Sequence, residues 1–152
     1  MPAETWETRA ERARGLVEKA ATMSAGAELD RADEEARNAA AVCFQAAPWR
    51  PEAATLFWEA HAHIRRRLQA LGAPALPQRV QALSTLREAM SQTLSRNPTD
   101  DGSKKLVAAA SLELGDAVAS AGQRGKALEL WEQAGTLDAS FLPEVERRKA
   151  GR

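Results

Sequence analysis

The sequence predicts an all-α protein, on its composition, its hydrophobic spacing and the placement of its glycines and prolines. It contains 33 Ala and 16 Leu, against 7 Val and Ile residues taken together. Ala and Leu favour helices, whereas strands are rich in β-branched and aromatic residues. Apolar residues recur at spacings of three and four, and Gly or Pro separates most of these segments. The length of 152 residues suits one domain, predicted to span residues 1–152.

The first pair of helices is predicted over about residues 2–47. An apolar stripe from Trp6 to Ala20 indicates one face of the first helix, which we expect to end before Gly26. The second helix carries its own apolar stripe and ends at Ala47, because the proline that follows prevents continuation. The two helices therefore form a hairpin.

The second pair is predicted over about residues 51–97. Pro51 suits the first turn of a helix, where its missing N–H has no partner to lose. One apolar stripe continues from Phe57 to Leu71 and predicts a single unbroken helix. After a connection rich in proline, a further helix runs to the Asn97-Pro98 dipeptide, which ends it.

The third pair is predicted over about residues 100–138, followed by a short charged helix over about 140–150. Asp100 or Asp101 can cap the first of these helices by accepting hydrogen bonds from its free N–H groups. Ser140 is the expected cap of the last helix. Connections this short favour neighbouring antiparallel helices, so we expect about seven helices as three hairpins and a cap.

The third hairpin carries a motif that goes beyond composition. The sequence LGDAVASAGQRGKALELWEQAGTLDA places small residues where two helices would approach closely and a large aromatic side chain where it would fill the space beside them. The positions that carry the motif are Leu114, Gly115, Ala127, Trp131 and Ala134.

These positions resemble the tetratricopeptide repeat, a helix–turn–helix unit of about 34 residues, over about residues 108–141. Ser111, Val118 and Ala139 stand where the repeat pattern has Trp, Tyr and Pro. The resemblance implies a short stack of hairpins with a C-terminal capping helix. A compact helical bundle whose last hairpin satisfies the pattern is the alternative; the stack is preferred because it accounts for both the pairing and the charged final helix.

A stack that resembles this family would line a groove with the first helix of each hairpin, and such grooves take a peptide or a partner's helix. The resemblance therefore implies partner-binding positions on the third hairpin, and the face beside the core stripe suggests others on the second. The residues so assigned are Leu112, Asp116 and Ser120, with Lys105 two turns earlier, and Glu59, His63 and Arg66 on the second hairpin.

Charge is unevenly distributed although 21 basic and 21 acidic residues balance overall. Residues 47–98 carry seven bases and three acids, and three of the bases are consecutive, Arg65 to Arg67. The alternatives are a solvated helix face and a basic patch for an acidic peptide or a phosphate, in which Arg66 and Arg67 would hold an acidic segment of a partner. Nucleic acid is disfavoured because aromatic residues are not interleaved with these bases.

Neither catalysis nor a metal site is indicated by the sequence. His61 and His63 are two residues apart, so a regular helix points them in different directions, and no second ligand cluster is readable. Cys43 lies in an Ala-rich run, where burial would leave the thiol inert. No phosphate-binding loop or nucleophile motif occurs. We therefore expect no enzyme activity and no cofactor.

The function expected from the sequence is a non-catalytic adaptor that binds another protein. The alternatives are a compact helical bundle acting as a structural or small-ligand-binding subunit and, less favoured, an RNA-binding helical repeat. The longest uncharged stretch, Asn38 to Trp49, is too short to span a membrane. The single cysteine fits a reducing cytosol, so the expected location is the cytoplasm. The sequence leaves the oligomeric state open.

Overall fold

The fold is all-α in the computed structural model, which describes residues 4–151. Residues 2 and 3 of the predicted first hairpin lie outside these described residues. No strand occurs between residues 4 and 151. The described residues form eight α-helices: α1 (Trp6–Thr22), α2 (Ala27–Ala46), α3 (Pro51–Ala60), α4 (Ala62–Leu71), α5 (Leu76–Arg96), α6 (Asp101–Ser120), α7 (Arg124–Leu137) and α8 (Leu142–Lys149), with short 3-10 turns at Ala73–Ala75 and Ala139–Phe141.

The helix ends follow from local side-chain chemistry. Asp100 Oδ2 accepts hydrogen bonds from the backbone N–H of Ser103 at 2.8 Å and from its hydroxyl at 2.7 Å, and so caps α6 as one of the two predicted residues. The expected Ser140 cap is wrong: Asp138 Oδ1 accepts from the Ser140 N–H at 2.9 Å and caps the 3-10 turn before α8. Pro51 lies in the first turn of its helix, as predicted.

The predicted unbroken helix from Pro51 to Leu71 is interrupted at His61. His61 has φ −93° and ψ 4°, outside the helical region, so α3 ends and α4 begins there. The His61 Nδ1 lies 2.7 Å from the Phe57 carbonyl oxygen, one turn earlier. The second hairpin consequently consists of two short helices, α3 and α4, followed by α5.

Helices that are consecutive in the chain pack together, and α6 lies at the centre. It packs against α5, α7 and α3, and ten of its twenty residues are buried. The main core joins α5, α6 and α7 with Val145 of α8. A second core cluster joins α1, α2 and α3, and a third joins α2, α3, α5 and α6. The first hairpin and the last are thus connected through α3, which contacts both α1 and α6.

The predicted close approach of α6 and α7 is confirmed at Gly115. A Cβ atom at this position would lie 2.5 Å from the Trp131 Nε1 and 3.4 Å from the Ala127 carbonyl oxygen. Trp131 and Ala127 are both buried, and Trp131 fills the space beside the helix pair as predicted. A second close approach follows at Gly135, where a Cβ would lie 2.8 Å from Leu142 Cδ2. At this contact α8 packs closely against α7.

Candidate partner-binding groove

A cleft opens where α1, α3 and the beginning of α6 meet. Its volume is about 390 Å³. Leu56 and Pro51 supply apolar surface, while the other contributions are mostly polar and come from three separate parts of the chain. We call it the front cleft; it is lined by Arg14, Pro51, Glu52, Thr55, Leu56, Glu59, Asp100 and Gly102.

A smaller, more enclosed depression adjoins the front cleft at Glu59, which lines both. Its volume is about 90 Å³, whereas one water occupies about 30 Å³, so it has room for one small side chain. Its walls come from α1, α2, α3 and α4, and it includes Met23 just after α1. We call it the apolar pocket; it is lined by Val17, Ala20, Ala21, Met23, Leu29, Asp33, Ala36, Glu59, Ala60, His63 and Arg66.

Negative charge dominates the front cleft. Three carboxylates, those of Glu52, Glu59 and Asp100, face one guanidinium, that of Arg14. The hydrogen bonds from Ser103 lower the pKa of Asp100, so this carboxylate stays ionised at neutral pH. Within the part of the chain that the structure describes, no carboxylate lies within 4.0 Å of the Arg14 guanidinium.

The polar residues around the apolar pocket are partly tied to one another. Asp33 is buried and accepts a hydrogen bond from Arg37 Nε at 2.9 Å. His63 Nε2 lies 3.4 Å from Asp30 Oδ1 at the edge of the pocket. Arg66 is exposed, and over residues 4–151 no acidic oxygen lies within 4.0 Å of it. The pocket thus combines an apolar interior with a charged rim.

The predicted basic patch on α4 is largely neutralised by the fold. Arg65 NH1 donates to Glu113 Oε2 of α6 at 2.6 Å, and its guanidinium lies 3.7 Å from the centre of the Trp58 ring. Arg67 NH1 lies 2.8 Å from Asp30 Oδ1. Sequence reasoning could not pair these charges because Arg65 and Glu113 are 48 residues apart. Arg66 is the one of the three without an acidic partner in the described residues.

The structure brings together only some of the predicted partner-binding residues. Glu59, His63 and Arg66 line the apolar pocket, and Arg67 shares Asp30 with His63 beside it. These four assignments from α3 and α4 therefore belong to one continuous surface. They remain predictions as binding residues.

The predicted residues on α6 lie elsewhere. Leu112 is 4% exposed and packs in the main core, so its assignment to a groove is wrong: α5 covers the face on which it lies. Asp116 accepts hydrogen bonds from Trp131 Nε1 at 3.1 Å and Arg148 Nε at 2.8 Å, which hold α8 against α6. Ser120 and Lys105 are exposed but line neither the front cleft nor the apolar pocket.

Sequence reasoning missed Arg14, Glu52, Thr55 and Asp100 as groove residues. A signal existed on α3, because Glu52, Thr55 and Glu59 recur at helical spacing on the face beside the core stripe. No such signal joins Arg14 or Asp100 to them, since these residues belong to the first and third hairpins. Only the packing of α1 and α6 on α3 brings them to one cleft.

The nucleophilic and metal-binding side chains offer no reactive arrangement in the described residues. Burial raises the pKa of the Cys43 thiol, which disfavours the reactive thiolate. Between residues 4 and 151, no group of three His, Cys, Asp or Glu side chains is arranged to hold a metal ion. What the groove offers chemically is charge, hydrogen bonding and one apolar recess.

Comparison with known proteins adds no family. No protein-family model matches the chain, and no curated protein or solved structure shows significant similarity to it. Among the helices described, none combines the length and the apolar character that crossing a membrane requires.

Proposed function

We propose that the protein is a non-catalytic adaptor that binds a segment of a partner protein along the surface formed by the front cleft and the apolar pocket. The observation that carries this proposal is that Glu59 lines both depressions. They therefore adjoin, and together they offer an open cleft and a more enclosed recess for a single side chain. A partner segment with one anchoring side chain fits this shape better than a compact metabolite does.

The arrangement of helices supports a tetratricopeptide-like architecture as part of this proposal. The front cleft forms where α1, α3 and α6, the first helices of the three hairpins, come together. In a stack that resembles the repeat family, these helices would line the binding groove. The Gly115 and Trp131 packing in the last hairpin is a second supporting feature. We also propose a cytoplasmic location, because the single cysteine leaves no internal disulfide to form.

A larger cleft of about 530 Å³ between α5 and α7 is less suited to binding a partner. Arg87, which lines this cleft, forms hydrogen bonds within the protein. Its Nε donates to Ser111 Oγ at 2.9 Å and its NH2 donates to Gln133 Oε1 at 2.6 Å. These bonds join α5, α6 and α7. We therefore assign Arg87 a structural role.

The proposal is tested by capturing proteins from the native host's lysate on the immobilised protein. Two variants block the groove at exposed positions, Ala21→Trp at the apolar pocket and Glu59→Lys between the two depressions. We expect a partner captured by the unmodified chain to be lost with both. Glu34→Lys, which makes the same charge change on the exposed side of α2, should retain it. Capture that is unaffected by both blocking variants would contradict the proposal.

A further inference from the structure

We infer that the partner segment carries a Lys or Arg side chain in the front cleft, three or four residues from a small aliphatic side chain that occupies the apolar pocket. The inference rests on the proposed function and specifies the chemistry of what is bound. It replaces the acidic partner expected from the Arg65–Arg67 sequence.

The excess of carboxylates in the front cleft favours the binding of a cation. Glu52 and Glu59 are exposed, and the structure gives neither of them an ion-pair partner among residues 4–151. Asp100 Oδ2 is used by Ser103, and no hydrogen bond to its Oδ1 is formed within the described chain. A Lys or Arg that enters between these carboxylates gains charge-assisted hydrogen bonds.

Arg14 by itself does not neutralise the carboxylates of the front cleft. It is a single exposed guanidinium facing three carboxylates. Glu11 and Glu18 lie one turn to either side of it on α1, so they add further negative charge along the same row. This row therefore carries more acidic than basic residues, a balance that favours the approach of a basic segment.

The floor of the cleft suits the long stem of a basic side chain. Pro51 provides apolar surface with a small exposed part of Leu56, and Thr55 stands between the two exposed glutamates. Lys and Arg bury their methylene groups against such surface while the charged end remains hydrated or paired. A volume of about 390 Å³ leaves room for adjacent backbone as well.

The apolar pocket limits the neighbouring side chain by size. About 90 Å³ is enough for a small aliphatic group and too little for an indole. Its interior is formed by Val17, Ala20, Leu29, Ala36 and Ala60. Because Glu59 lines both this pocket and the cleft, the two depressions adjoin, and the two anchoring side chains would leave the partner close together. One turn of a helix is the spacing that we propose.

The inference is tested with a displayed library of random 12-residue peptides selected on the full chain. We expect enriched sequences to combine Lys or Arg with Val, Leu or Ile three or four positions away. Binding of a synthetic enriched peptide should weaken at least tenfold in the E52K/E59K variant, and it should weaken as salt is raised. The matched E34K/E35K variant, altered at two exposed glutamates outside the groove, should bind as the unmodified chain does.

The outcomes separate this inference from the proposed function. Enriched peptides that are acidic or uncharged, and whose binding is lost in Ala21→Trp, would overturn the basic anchor while leaving the groove as the binding surface. Peptides whose binding is unaffected by Ala21→Trp and by E52K/E59K would contradict both. A selection that enriches no sequence counts against the inference, and lysate capture then decides the proposed function separately.

Discussion

Gly115 has no room for a side chain. The Cβ of an alanine there would lie 2.5 Å from Trp131 Nε1, and the Trp131 ring is held in place because this Nε1 donates to Asp116 Oδ1. We therefore expect Gly115→Ala to lower the free energy of unfolding by about 1–3 kcal/mol through overpacking. Urea denaturation measures this change.

Gly15 provides the matched control. It lies inside α1, and no atom outside its own helix backbone lies within 4 Å of a Cβ built on it. Gly15→Ala should raise the free energy of unfolding by roughly 0.5–1 kcal/mol, because alanine restricts the unfolded chain and favours the helix. Equal effects of the two substitutions would contradict the close approach of α6 and α7.

Asp116 illustrates how the fold can give a single residue contacts that the sequence does not reveal. The resemblance to the repeat family implied contact with a partner, and that assignment remains a prediction. In the fold it accepts from Trp131 on α7 and from Arg148 on α8. It therefore ties three helices together, a role that depends on residues 15 and 32 positions further along the chain.

His61 is the residue at which α3 ends and α4 begins, and its surroundings disfavour the positively charged form of its imidazole ring. Burial lowers the pKa of His61, and the charges of Arg37 and Arg65 lower it further. The hydrogen bond to the Phe57 carbonyl and the charge of Asp33 act in the opposite direction but are outweighed. The carbonyl can only accept, so Nδ1 carries the hydrogen.

Acid should therefore destabilise the fold through His61. Because its pKa is lower in the folded state, the unfolded chain takes up more protons as the pH falls below about 6.5. The free energy of unfolding should decrease over that range and level off below the folded pKa. Urea denaturation between pH 7.5 and 5.5 measures the slope, which His61→Asn should reduce. An unchanged slope in His61→Asn would exclude this explanation.

The Arg65–Glu113 pair joins α4 to α6 at the cost of burying two charges. Burial raises the pKa of Glu113 and lowers the pKa of Arg65, and in both groups it outweighs their mutual attraction. Arg65 Nε is also buried without a hydrogen-bond partner in the described chain. The pair therefore specifies how the helices meet more than it stabilises them.

A double-mutant cycle tests this interpretation. Arg65→Met or Glu113→Leu alone should lower the free energy of unfolding by about 2 kcal/mol, because each leaves a buried charge without its partner. The double variant should be close to the original protein, within about 1 kcal/mol. Additive losses from denaturation curves would show instead that the pair is strongly stabilising.

At the scale of the whole molecule, periodicity predicted the helices because each apolar stripe is a local property. The helix α7 was predicted in this way, whereas polar character let the cap of α6 be narrowed only to Asp100 or Asp101, of which Asp100 is the cap. The break at His61 was not, because the apolar stripe continues through it and neither Gly nor Pro marks the position. The contacts of His61 with Phe57 and of Arg65 with Trp58 join residues four and seven apart across the break, and a hydrophobic pattern does not reveal such polar contacts.

Part of the candidate groove was predictable because it depends on local sequence spacing. Glu59, His63 and Arg66 lie on neighbouring helices of one hairpin, so their common surface follows from local spacing. The sign of the charge in the front cleft was not predictable, because its residues come from three hairpins. The local sequence Arg65 to Arg67 suggested a basic surface, whereas in the fold two of those charges, Arg65 and Arg67, are paired with Glu113 and Asp30.

The central position of α6 has a consequence for the order in which the chain folds. Its buried residues contact α5 before it in sequence and α7 after it, so much of the core can form within one continuous stretch of chain. Contacts between residues that are near in sequence close only short loops, so forming them costs little chain entropy. The α5–α6–α7 region is therefore the natural nucleus, and α1 with α2 can dock afterwards onto the exposed side of α3. The wall of the front cleft that contains Arg14 would then be the last to assemble and the first to come away, so a partner bound in the proposed groove would directly influence how long the folded chain survives.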